Sequence, residues 1–189
     1  MRLWFTMLAV FVAVSTASSA QEAADELRHA EARGAALFAA VRATSLAGPE
    51  DIKNFEALQR ATDPQKCKDT TIAWILLPDR NQATELYGIA SASAEDELVV
   101  GKHFKAKVVD GTADLSTLTA STKSCLTLKI QPRAAALFTT EVISATPTEF
   151  HVLESKLHAV ALYVGAGGKA WSVKDGAISK LEKPAGNRQ

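Results

Sequence analysis

The sequence predicts an α+β fold: two N-terminal helices packed on a curved, mostly antiparallel sheet, or part-closed barrel, of about seven to nine short strands. Three observations predict it. Apolar residues recur at steps of three and four up to Arg60, and at steps of two from Thr70 onward. Turn signals such as Asp110-Gly111 and Asp175-Gly176 suit hairpins between antiparallel neighbours. The sequence shows no crossover helix between strands, which argues against a doubly wound parallel sheet.

Composition narrows the function classes. The chain has 189 residues, with 21 basic and 21 acidic side chains and 47% hydrophobic residues. That apolar fraction is too high for a disordered chain. The absence of a basic excess argues against nucleic acid as a partner. Two cysteines are too few for a tetracysteine zinc or iron–sulfur site. The length suits one domain.

The first twenty residues read as an address. Met1 and Arg2 give a positive start, Leu3 to Val14 form an apolar run broken only by Thr6, and Ser15 to Ala20 are all small. The run is shorter than the ~20 apolar residues of a spanning helix. The expectation is a signal peptide over 1–20, a mature start at Gln21, one α+β domain over 21–183 and a disordered polar tail over 184–189. The mature protein is then secreted, into a periplasm on the shortness of the signal, with no stable membrane insertion. Export gives the cysteines their meaning, because disulfides persist outside the cytosol. Cys67 and Cys125 are predicted to bond and tie the helical part to the sheet.

The elements follow in order. Gln21 to Thr44 carries Leu27, Ala30, Gly34, Leu37, Phe38 and Val41 on one helical face. Gly34 weakens this helix but lets another element approach closely. Pro49, Glu50 and Asp51 suit the first turn of a second helix that runs to Arg60, with Asp63-Pro64 ending it. Thr71 to Leu77 is apolar on both faces and reads as a central strand around Trp74. Pro78 to Asn81 is a turn, Glu85 to Ala92 a second strand, and Ala94 to Glu97 an acidic turn. Leu98 to Val109 reads as one long strand, with Phe104, Ala106 and Val108 on one side and His103, Lys105 and Lys107 on the other. Leu115 to Ala120 pairs back after Asp110-Gly111. Cys125 to Ile130 points Leu126, Leu128 and Ile130 inward, and Ala134 to Ile143 is a further strand. Phe150 to Leu157 and Ala159 to Val164 read as a hairpin or one bent strand. Ala170 to Val173 and Ala177 to Leu181 flank the final turn.

Chemistry is sparse. His151 and His158 with Glu154 are the candidate catalytic set, an acid–base cluster if a hairpin brings them together. No H-E-x-x-H pair points to zinc, and no G-x-S-x-G or S-x-x-K motif supplies a nucleophile. Neither metal nor cofactor is expected. Lys102, His103, Lys105 and Lys107 are the candidate binding set, a patch for a small anion or acidic glycan. Glu95, Asp96 and Glu97 read as a solvated tip, and the aromatics Trp74, Tyr87, Phe104, Tyr163 and Trp171 as core. The sum is an exported soluble protein of the cell envelope, a non-catalytic binding or accessory module for an envelope or extracellular protein or a small ligand. The alternative is a small envelope hydrolase with residues drawn from separate strands.

Overall fold

The structure, a computed structural model, describes residues 5–78, 84–131 and 134–182, with the backbone alone over 5–20. The predicted turn at 78–81 falls partly, and the predicted tail at 184–189 wholly, outside the described residues. Among the described residues, three α-helices and ten strands run in the order α1 (Phe5–Arg42), α2 (Phe55–Thr62), β1 (Thr70–Pro78), β2 (Thr84–Ala92), β3 (Glu97–Val99), β4 (Phe104–Val109), β5 (Thr112–Ala120), β6 (Thr127–Lys129), β7 (Ala136–Thr140), α3 (Glu149–Leu157), β8 (Ala161–Ala166), β9 (Lys169–Lys174) and β10 (Ala177–Lys180). The class is α+β. The strands form three sheets rather than one curved sheet or a barrel: β1-β2-β4-β5, β10-β9-β8-β7 and the pair β3-β6.

The first sheet is antiparallel throughout and is covered on both faces. On one face, Ile52 and Leu58 around α2 pack on Trp74, Leu86 and Phe104. On the other, Leu37 of α1 and Phe150 and Leu153 of α3 pack on Ile75, Tyr87 and Ile89. This arrangement corrects the reading of β1 as a central strand. It lies at the sheet edge, and its double apolar pattern comes from helices above and below it. Trp74 sits opposite Gly88, where a Cβ would lie 2.7 Å from the indole ring, so glycine makes the room for the tryptophan.

The second sheet packs its inner face, Leu162, Val164, Trp171 and Val173, on Val152 of α3 and on Leu98 and Val100. Leu126, Leu128 and Ile130 join this cluster from around β6, as their alternation predicted. β7 and β8 are parallel, and α3 is the crossover between them. The reading of Phe150–Leu157 as a strand, and of a chain without crossover helices, is therefore corrected. Six consecutive residues of α3, Phe150 to Ser155, are buried, so the helix shows no polar stripe to betray its period. Its start is marked instead by a cap: the Thr148 N–H donates to His151 Nδ1 (3.1 Å), and the Thr148 side chain accepts from the third helical N–H.

Two other boundaries move. α2 begins after Asn54 rather than at Pro49, which lies in a turn. The expected strand over 98–109 breaks into β3 and β4 around Gly101 and Lys102, the latter at φ 62°. Asp110-Gly111 and Asp175-Gly176 do form two-residue hairpin turns, all four residues with positive φ. Cys67 and Cys125 are bonded, with Cα atoms 5.5 Å apart. The bond joins the segment before β1 to the loop before β6.

Candidate functional site

α3 drives polar side chains into the interior, and each needs a partner there. The Ser155 hydroxyl donates to the Val160 carbonyl (2.7 Å). His151 is buried and accepts the Thr148 N–H, with burial lowering its imidazole to about 4. Glu154 is 3% exposed, and burial raises its carboxyl against the opposing pull of His158. His158 Nε2 lies 3.3 Å from Glu154 Oε2, one helical turn on.

A third imidazole approaches from the loop before β4. His103 is fully buried and stacks on the Phe150 ring, centroids 4.8 Å apart and 11° between planes. Its Nδ1 accepts the Ala90 N–H (3.1 Å), and its Nε2 donates to the Val99 carbonyl (3.0 Å). Both nitrogens are thus committed to backbone, and the ring is neutral. Burial lowers its pKa to about 4, with the Val99 bond opposing and His151 adding. Its Nε2 stands 3.7 Å from Glu154 Oε1, beyond hydrogen-bond reach.

Glu154 and His158 line one pocket of about 300 Å³, walled by Val41, Val99 and Leu157 and rimmed by Glu95 and Glu97. The structure therefore brings together two of the three sequence candidates. His151 is held away by its capping role at the start of α3, and His103 takes the place beside the carboxylate. One straight strand would put His151 and His158 on opposite faces, and a hairpin could bring them together; the helix instead sets Glu154 and His158 four residues apart on one face. Among the described residues, no group of three or more His, Cys, Asp or Glu is placed to hold a metal ion.

The candidate anion patch is not assembled. His103 lies in the core, and Lys105 is held between Glu85 Oε1 (3.1 Å) and Glu149 Oε1 (3.2 Å). The predicted alternation holds, with Phe104 and Val108 toward α2 and His103 and Lys105 toward α3, but α3 covers that second face, so it is not the solvated patch expected. Lys105 belongs to a buried network instead. Arg33 of α1 donates to the Tyr87 hydroxyl (3.1 Å), to the Pro78 carbonyl (2.6 Å) and to the Glu85 carboxylate. Tyr87 in turn donates to Glu85 Oε2 (2.7 Å). Burial alone would raise the Glu85 carboxyl, but Tyr87, Lys105 and Arg33 outweigh it and hold it below its ordinary value.

Among the described residues, no element covers the outer face of the second sheet. Phe138 on β7 and Tyr163 on β8 are register neighbours and are 64% and 40% exposed. Val142 and Ile143 beyond β7, and Leu181 beyond β10, are also exposed. An open concavity of about 980 Å³ runs along this face, lined by Phe138, Gly165, Ala170 and Leu181, with Glu141, Lys169 and Lys180 among its polar lining. Reading Tyr163 as a core aromatic is corrected here. The signal was present in the alternation: Leu137 and Leu162 point inward, which leaves Phe138 and Tyr163 on the phase that polar residues normally occupy.

The chain matches no family model, no curated protein and no solved structure at a significant level. What the protein does therefore rests on its own geometry. Two places offer themselves: the Glu154–His158 pocket between α3 and the β2–β3 turn, and the apolar outer face of the second sheet. The first is small and carries charge; the second is broad and carries aromatic area.

Proposed function

We propose that the protein is an exported, non-catalytic binding or accessory module of the cell envelope that receives a macromolecular partner on the outer face of its second sheet. One observation carries the reading. Phe138 and Tyr163 stand side by side in solvent, and Leu181 lines the same concavity as Phe138. Contiguous exposed apolar area rimmed by polar side chains marks interaction sites, and aromatic side chains dominate interface energetics. Export is supported by the positive start, apolar run and small residues of 1–20, and by the Cys67–Cys125 bond. Among the described residues, no helix is long and apolar enough to cross a membrane.

The test is affinity capture from the envelope fraction of the source cells, comparing the wild-type chain with Phe138→Asp and Tyr163→Asp. A partner held by the wild type and lost from both variants supports the reading. A partner held equally by all three contradicts it.

A second reading, a small envelope hydrolase, has one observation in its favour: Glu154 and His158 share a concave pocket. Against it, His103 and His151 are spent on backbone groups, and no hydroxyl among the described residues is hydrogen-bonded to His158 or Glu154. Hydrolysis abolished by both Glu154→Gln and His158→Ala would favour the enzyme.

A further inference from the structure

We propose that the pocket at the C-terminal end of α3 is a binding site for an alkylammonium group, with the Glu154 carboxylate as its anchor. The proposal stands apart from the sheet-face reading and does not depend on it. The pocket holds about 300 Å³, at the lower end of small-ligand sites, and suits a slender chain with a charged end. Three features of its lining point to this chemistry.

The first is the carboxylate. Glu154 is 3% exposed, and one of its oxygens, Oε2, has the His158 Nε2 at 3.3 Å. Among the described residues Oε1 accepts no hydrogen bond; His103 Nε2, 3.7 Å away, donates to the Val99 carbonyl instead. Among the described residues, no side-chain oxygen or nitrogen sealed from solvent lacks a partner. Oε1 therefore keeps its access through the pocket that Glu154 lines. A buried oxygen with a free lone pair and an open path is an acceptor waiting for a donor.

The second is the sign of the field. Glu95 and Glu97 line the same pocket, and among the described residues neither lysine nor arginine does. The remaining acid of that turn, Asp96, is engaged outside by Lys129 at 3.3 Å. The pocket thus offers three carboxyl groups against one imidazole; burial favours the neutral form of Glu154, and a bound cation would draw it back to the carboxylate.

The third is the wall. Val41, Val99 and Leu157 give apolar surface between rim and floor. A hydrated metal ion gains nothing from such walls, whereas the methylenes of an alkylammonium chain lie against them while its head reaches Glu154. The shared chemistry has two sources, a free aliphatic amine or a lysine side chain offered by a partner protein.

The experiment titrates the full disulfide-bonded chain with cadaverine, with Nα-acetyl-lysine methylamide, and with pentanol as the uncharged control. Binding is followed by the methyl resonances of Val41, Val99 and Leu157 and by the His158 ring. Saturable shifts with one or both amines and none with pentanol are expected. A hydrogen bond to a charged group predicts that Glu154→Gln weakens the affinity at least about tenfold. Preference for cadaverine assigns the pocket to free amines; equal or better binding of the lysine derivative assigns it to a protein side chain. Should Glu154→Gln not fold, the pair Glu95→Gln and Glu97→Gln on the rim carries the test, with a several-fold loss expected. Absence of saturable shifts with either amine at millimolar concentration, unchanged affinity in a folded Glu154→Gln chain or, where the rim pair carries the test, in that pair, or shifts with zinc alone would overturn the proposal.

Discussion

Glu85 is the residue on which three elements lean. It accepts from Arg33 of α1 and Tyr87 of β2, and it meets Lys105 of β4, which also reaches Glu149 of α3. Removing its charge leaves the buried Arg33 guanidinium without its anion, which is the costly way to disturb a buried pair. Glu85→Gln is expected to lose about 2–4 kcal/mol in urea unfolding; a loss within experimental error would show that the network adds nothing. The two buried imidazoles give a pH dependence whose sign can be worked out. His103 and His151 have folded pKa values of about 4 against an ordinary 6.5. Between those values the unfolded chain takes up protons that the folded chain refuses, so stability falls as pH drops through the window. Glu154 acts in the opposite sense, since its raised carboxyl takes up a proton on folding and relieves part of the loss. Two groups outweigh one. The urea midpoint should be lower at about pH 4.5 than at about pH 7; an equal or higher midpoint in acid would mean that these rings are not buried neutral.

At the scale of elements, the contact of α1 with α3 decides the packing. Gly34 stands where a Cβ would collide with the Cβ of Val152 and lie 2.8 Å from the Glu149 carbonyl. Neither is the end of a flexible chain. Gly34→Ala gains up to about 1 kcal/mol of helix propensity and loses about 1–3 kcal/mol to overpacking. A lower unfolding midpoint is the expected result, and a raised one would refute the close approach. The purpose of Gly34 was legible in the sequence, because a glycine inside a strongly periodic helix asks for a close neighbour. The neighbour itself was not legible. α3 is buried all round, so its sequence lacks the amphipathic stripe, and the alternation of Phe150 and Val152 imitates a strand. Its start signal used His151 where a capping box normally has Glu or Gln, which hid it further. β1 misled for the converse reason: an edge strand roofed by helices on both faces looks like a central one. The hairpin turns at Asp110-Gly111 and Asp175-Gly176 were readable because their constraint is local, two residues with φ that side chains normally avoid. The Glu154–His158 pair was visible only as two residue types in one stretch, since its geometry depended on the helix that the pattern concealed.

At the scale of the molecule, the fold is two larger sheets bridged by α3 and stapled once, the first covered on both faces and the second on one. The Cys67–Cys125 bond spans 58 residues of sequence and joins the base of the first sheet to the strand pair packed under the second. In the chain-entropy account such a loop is worth about 4 kcal/mol. Reduction should lower the unfolding midpoint by a corresponding margin, and thiol labelling of the denatured, unreduced chain should find no free cysteine. Two labelled thiols would overturn both the staple and the argument for export drawn from it. The same scale separates the faces of the molecule. Among the described residues, three of the four broad sheet faces of the two larger sheets are covered by helices or by the small strand pair, and the fourth, bearing Phe138 and Tyr163, is open. We propose this face, with Phe138 and Tyr163 adjacent and exposed, as the place for a partner. The most direct measurement is site-specific photocrosslinking in the source cells, with the crosslinker at Phe138 and, as control, at Lys107 on the exposed side of β4. A discrete crosslinked species from position 138 that is absent from position 107, and lost when Tyr163 is changed to Asp, is the result expected. Equal background from both positions would contradict a binding role for this face.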